Sequence, residues 1–126
     1  MYKIALFFLL FSLYSCDGNT NEIFNVRNNS SEEITIVFHK NILSTDSIQI
    51  ISEGITKEVA NLNFRGGISN PNGPILFDSV KVYTQTDTMI TQFNDELNWN
   101  TVTEQVSKFP SSYTHTHDLL ITDEDF

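Results

Sequence analysis

Cysteine occurs once, at Cys16, so no internal disulfide can hold this chain together and its fold has to rest on a packed core. Basic residues are also scarce: seven Lys and Arg stand against sixteen Asp and Glu, giving a net charge of −9. Beyond Lys3, the cations Arg27, Lys40, Lys57, Arg65, Lys81 and Lys108 are scattered singly. A chain with no cationic cluster lacks the means to bind nucleic acid by counterion release, and anionic headgroups repel it. The longest apolar run, Ile4 to Leu13, falls far short of the ~20 residues of a membrane-spanning helix. No Gly-x-Ser-x-Gly elbow and no His-Glu-x-x-His pair is present, which removes two common hydrolytic signatures. A carboxylate pair for glycoside cleavage stays open on counting alone, because acidic residues are plentiful.

What is present begins at the N-terminus. Lys3, the apolar Ile4 to Leu13 and the small Ser15 have the order of a secretory signal peptide. Leu13, Ser15 and Cys16 resemble the lipobox of bacterial lipoproteins, with Tyr14 a less usual residue at its position. In that family the cysteine thiol takes a diacylglycerol, cleavage falls just before it and the new amine is acylated. The resemblance implies a signal peptide over 1–15, a lipidated Cys16 and attachment to the membrane through its acyl groups. A single acyl chain gives only marginal binding, with K of ~10⁴ M⁻¹, whereas two or three on one residue hold permanently. The polar run Asp17 to Glu22 reads as the rest of a short tether over 16–22, ahead of one domain over 23–126.

That domain reads as mainly β. Phe24 and Val26 alternate with polar neighbours, Asn28 to Ser31 makes a turn, and Ile34, Ile36 and Phe38 share one face of the next run, the pair suggesting a hairpin. Further strands are expected over Asp46 to Ile51, with Ile48 and Ile50 inward, over Ile55 to Phe64, around Val80 and Val82, around Met89 to Phe93, and over Tyr113 to Thr122. Thr101-Val102-Thr103-Glu104 has the form of a capping box, with Val102, Val106 and Phe109 at helical spacing behind it, which predicts one short helix. About seven short strands with regular turns make a small antiparallel β-sandwich or barrel-like domain. Arg65 to Leu76 carries Gly66, Gly67, Gly73, Pro71 and Pro74 and is the longest loop.

The chain resembles, over nearly its whole length, the small uncharacterised lipoproteins of Bacteroidetes-type bacteria. The resemblance is carried by the lipobox, the polar tether, Phe24 to Ser30, Phe77 to Val82 and Leu120 to Phe126. It implies a lipid-anchored, mostly β cell-envelope protein, at the outer membrane or periplasmic face. It lends no catalytic residue and no cofactor.

Three groups of residues are candidate sites. His115 and His117 lie two apart and share a strand face, where both imidazoles could meet one Zn²⁺ or Cu²⁺, with His39 or a carboxylate completing the set. A strand whose outer face happens to carry two histidines gives the same pattern, and metal is not expected. The long loop could make a contact surface through Arg65, Gly66, Gly67, Asn70 and Asn72, since loops on a rigid scaffold carry recognition, or could be a plain connector. Asp-Ser or Asp-Thr followed by an apolar residue resembles an O-glycosylation signal of the same bacterial group. It would make Ser47, Ser79 and Thr88 acceptors, although the same dipeptides commonly open strands out of turns. The expectation is therefore a non-enzymatic envelope protein that binds a protein or a glycan. The alternatives are a metal-binding or hydrolytic protein built on His115 and His117, and an acidic inhibitor or immunity-type protein facing a basic partner.

Overall fold

The computed structural model describes residues 17–39, 47–73, 77 and 79–126. Residues 1–16, with the expected signal peptide and Cys16, lie outside the described residues, as do Asp46 and Asp78. Seven strands run in order: β1 (Asn19–Asn28), β2 (Ile34–His39), β3 (Ser47–Ile51), β4 (Thr56–Arg65), β5 (Ser79–Tyr83), β6 (Trp99–Lys108) and β7 (Ser111–Ile121). They form a four-stranded sheet, β4-β1-β7-β6, and a three-stranded sheet, β3-β2-β5. This is a β-sandwich-like domain with no closed barrel and no helix among the described residues beyond short 3₁₀ turns, among them Glu96–Asn98 and Asp123–Asp125.

The core comes from strict period-two burial. Phe24 and Val26 on β1, Ile34, Ile36 and Phe38 on β2, and Leu119 and Ile121 on β7 all point between the sheets. Aromatic rings fill the middle. Phe24 meets Phe77 edge-on at 4.7 Å and Trp99 at 5.6 Å, and Phe93 meets Trp99 at 5.2 Å. The Trp99 indole donates to the Phe93 carbonyl at 2.6 Å, so its one polar atom is partnered inside the core.

Several expectations are corrected. The expected tether reaches only to Gly18, because β1 starts at Asn19 and is flanked on both sides, by β4 and β7. Its first inward residues are Thr20 and Glu22, polar side chains that find partners, so hydrophobicity gives no sign of the strand. The expected helix at Thr101 to Phe109 is strand β6: β-branched Thr101, Val102, Thr103 and Val106 suit a pleated surface, and pairing with β7 outweighs the capping-box pattern. β1 and β2 form no hairpin. They lie in different sheets, and the Asn28 side chain turns the corner by donating to the carbonyls of Glu32 (2.7 Å) and Ile51 (3.0 Å). Met89 to Phe93 forms no strand; an isolated bridge, between Tyr83 and Thr88, lies just ahead of it. Ile48 and Ile50 face outward at 65 % and 53 % exposure, and Ile51 is the buried residue of β3. The sandwich is not wholly antiparallel, since β1 and β7 run parallel.

The second sheet is short, five or six residues per strand against ten or eleven in the first. It leaves uncovered the end of the long sheet where β1 begins, and the strap Gly66–Gly73 closes that end. The strap is fastened at its start by close main-chain packing. A Cβ placed on Gly67 would stand 1.9 Å from the Ser111 carbonyl oxygen, and one on Gly18 would stand 1.6 Å from the same atom. Gly67→Ala must therefore displace backbone. It is expected to lower unfolding free energy by about 3 kcal/mol in urea titration, whereas Ser69→Ala on the exposed part of the strap leaves it unchanged.

Candidate functional site

Polar residues line the sheet beneath the strap. On β1, Thr20 and Glu22 continue the inward alternation of Phe24 and Val26; on β7, His115 and His117 continue that of Leu119 and Ile121. All four of these polar residues are wholly buried. Parallel pairing sets Glu22 beside His115 and Phe24 beside His117. Antiparallel pairing sets Thr101 opposite His117 and Thr103 opposite His115.

Each polar atom in this layer has a partner. Glu22 Oε2 meets His117 Nε2 at 2.5 Å, and Glu22 Oε1 accepts from the backbone N–H of Asn72 at 3.0 Å and from its side-chain amide at 3.3 Å. His117 Nδ1 meets the Thr101 hydroxyl at 2.8 Å, and its ring stacks on Phe24 with centroids 4.4 Å apart. His115 Nε2 faces the Ile68 carbonyl at 2.7 Å, and its Nδ1 meets the Thr103 hydroxyl at 2.8 Å. The Thr20 hydroxyl donates to the Gly66 carbonyl at 2.6 Å and accepts from the Ile68 N–H at 2.7 Å. The partners fix the tautomers. The Ile68 carbonyl only accepts, so His115 carries a proton on Nε2 and, in the neutral ring, its Nδ1 accepts from Thr103; with Glu22 as a carboxylate the same arrangement holds for His117 and Thr101.

This layer corrects the reading of the histidines as an outer-face pair, since both lie on the inner face. It also bears on their use as ligands. All four ring nitrogens are engaged by protein, so neither imidazole offers a free lone pair to a metal. His39 ends β2 in the other sheet, its backbone opposite Ser79. Among the described residues no group of three His, Cys, Asp or Glu is placed to hold a metal ion.

Thr101, His117 and Glu22 align hydroxyl, imidazole and carboxylate, the components of a nucleophilic relay. Two surface cavities, of about 420 Å³ and 200 Å³, are lined elsewhere. The first lies between β5 and residues 88–94, and the second among Ser31, Glu32, Thr86, Asp87 and Asp123. Neither includes a member of the relay. The arrangement joins strap to sheet through hydrogen bonds of Glu22, Thr20 and His115 with Asn72, Gly66 and Ile68.

The loop residues divide. Gly66 and Asn72 are turned into the layer, and Gly67 and Asn70 lie on the surface. Arg65 pairs with Asp17 at 2.9 Å on an exposed edge. The hydroxyl-bearing positions Ser47, Ser79 and Thr88 stand at strand starts or beside a bridge, with Ser79 and Thr88 exposed. Sequence reading missed Glu22, Thr20, Thr101 and Thr103. The available signal was periodicity: counting back by twos from Phe24 reaches Glu22 and Thr20.

Outside this layer, exposed apolar side chains occur at several places, among them Ile48 and Ile50 on β3, Ile90, Leu97, strand β6 and the turn after it. Along β6, Val102 and Val106 are 56 % and 59 % exposed, and at the turn into β7 Phe109 is 95 % exposed. No known protein family, curated protein or solved structure matches this chain.

Removing one member of the buried pair strands the other. Glu22→Ala leaves His117 Nε2 and the Asn72 N–H without acceptors and is expected to cost about 3–5 kcal/mol of stability. Glu22→Gln keeps an acceptor and is expected to cost about 1–2 kcal/mol. Urea titration orders the two. Added Zn²⁺ is expected to leave the melting temperature of the wild-type protein unchanged, because binding would have to break protein hydrogen bonds first.

Proposed function

We propose that this chain is a lipid-anchored protein of the cell envelope, held by acyl groups on Cys16, and that it works by binding a protein partner along strand β6. The observation that carries this reading is the open edge of the long sheet. β6 has ten residues, pairs only with β7 among the described residues, and is exposed over nearly its whole length. Such an edge offers unpaired backbone N–H and C=O groups to an incoming extended segment. Val102 and Val106 would sort partners by apolar contact. Glu104 between them favours a segment with a basic residue opposite, in keeping with the acidity of the chain.

Binding is favoured over catalysis or metal handling because the buried histidines are spent on internal hydrogen bonds. The expected contact surface accordingly moves from the Arg65–Leu76 loop, part of which is turned inward, to β6. The lipid anchor rests on the Leu13-Tyr14-Ser15-Cys16 pattern.

A photo-crosslinking residue at Gln105, introduced in the native host, is expected to give a discrete adduct in envelope membranes. The same residue at Asn61 on the opposite edge, β4, is expected to give none. Val106→Lys, at an exposed position, should abolish the adduct without altering stability. Equal adducts from both edges, or an adduct indifferent to Val106→Lys, would overturn the proposed surface.

A further inference from the structure

One end of the sandwich gathers four features, of which the buried layer uses only the strap backbone at Gly66 and Ile68. The chain enters the long sheet there, since Asn19 opens β1 and stands opposite Arg65, the last residue of β4. The β6–β7 turn lies at the same end. The Asn19 N–H donates to the Ser112 hydroxyl at 3.0 Å, and the Gly66 N–H donates to the Gly18 carbonyl at 2.6 Å. Phe109, at the tip of that turn, is the most exposed large apolar residue described. Ile68, on the strap that closes this end, is 39 % exposed.

Charge is sorted along the same axis. The acidic residues Glu32, Glu33, Glu53, Asp123, Glu124 and Asp125 all lie at the opposite end, where β1 finishes, β4 begins and β7 finishes. The Phe109 end carries Lys108 and Arg65, with Asp17 tied to Arg65. A chain of net charge −9 therefore shows an end that is not acidic, and that end holds the start of β1.

We infer that this end is a membrane-docking face: the bilayer holding the acyl groups of Cys16 also receives the Phe109 side chain, with Lys108 and Arg65 at headgroup level. The inference rests on the proposed lipidation of Cys16. Chain length then leaves little choice of orientation. Only Asp17 and Gly18 separate Cys16 from β1, and the three steps from Cys16 to Asn19 span at most about 11 Å. A domain on so short a leash meets the bilayer with whichever end the leash leaves from. An aromatic ring there sits well at the boundary between headgroups and acyl chains, and the distant acidic end stays clear of anionic lipid. The leash is this short only because Asn19 to Glu22 belong to the sheet.

The test uses the full-length lipoprotein in vesicles of phosphatidylethanolamine and phosphatidylglycerol with brominated acyl chains. Phe109→Trp is compared with wild type, whose Trp99 is buried and serves as background, and with Leu97→Trp, exposed at the far end of β6. Both substitutions replace exposed side chains, so the fold is unaffected. The emission of Phe109→Trp in excess of wild type is expected to shift to the blue and to be roughly halved by brominated lipid, while that of Leu97→Trp is not quenched. If the protein stays on the vesicles through a high-salt wash but Phe109→Trp is quenched no more than Leu97→Trp, the docking face is overturned and the anchor stands. If palmitate is not incorporated and the protein washes free in plain buffer, the anchor is overturned and the docking face with it.

Discussion

The contact on which this fold turns is the one between Glu22 and His117, two ionisable side chains with no solvent exposure, joined at 2.5 Å. Placing a carboxylate inside a small β-domain is costly unless every lone pair is answered. Here Oε2 takes the imidazole and Oε1 takes two donors from Asn72. Asn72 is the reason the strap lies down. Without an acceptor at Glu22, and without the bonds of Thr20 and His115 to Gly66 and Ile68, little apolar surface would hold residues 66–73 against the sheet. The long sheet would then be bare at one end, because the short sheet cannot reach it.

The same contact reads out strand register. A β1 slipped by one residue against β7 would send Glu22 to the outer face and leave His117 Nε2 without its acceptor. Apolar residues tolerate such slips better, since one valine neighbour serves nearly as well as another. The division of labour along β1 follows from this. Phe24 and Val26 supply burial against the second sheet, and Thr20 and Glu22 supply a register that only one alignment satisfies. Thr101 and Thr103 extend that logic to β6, each placed opposite the histidine it bonds.

This also explains which parts of the structure could be read from the sequence. Ile34, Ile36 and Phe38 announce a strand because their inward face is apolar, and Val80 with Val82 does the same. Thr20 and Glu22 occupy identical inward positions but look like a solvated tether, because their burial depends on partners forty-six to ninety-five residues away. Hydropathy is blind to that; periodicity carried through from Phe24 is not. β6 misled for the opposite reason. Its Thr-x-x-Glu start and its spacing of valines suit a helix locally, and only pairing with β7 makes it a strand. The histidine pair was legible as a pair, but its environment was not, since no local pattern reveals that Ile68, Glu22 and two threonines close around it.

Moving the start of the sheet from Ile23 back to Asn19 changes more than a boundary. A polar spacer running to Glu22 would let the domain tumble above a membrane, with no face preferred. With the proposed anchor at Cys16, a two-residue spacer would remove that freedom, and the glycine at position 18, pressed against the Ser111 carbonyl, ties the start of the described chain to the β6–β7 turn as well. On the proposed reading, anchoring and recognition would then be geometrically linked. If the Phe109 end rests on lipid, β6 rises from the surface with Lys108 lowest and Trp99 highest. Val102, Glu104 and Val106 are then presented side-on to whatever neighbours the protein in the plane of the membrane. An edge strand presented in that way meets membrane-bound partners more readily than freely diffusing ones, because both are confined to one layer and the encounter needs no reorientation of the domain. On the proposed anchor the buried carboxylate at Glu22 would act at a distance: by drawing Asn19 to Glu22 into the sheet it shortens the leash, and a short leash would orient the open edge.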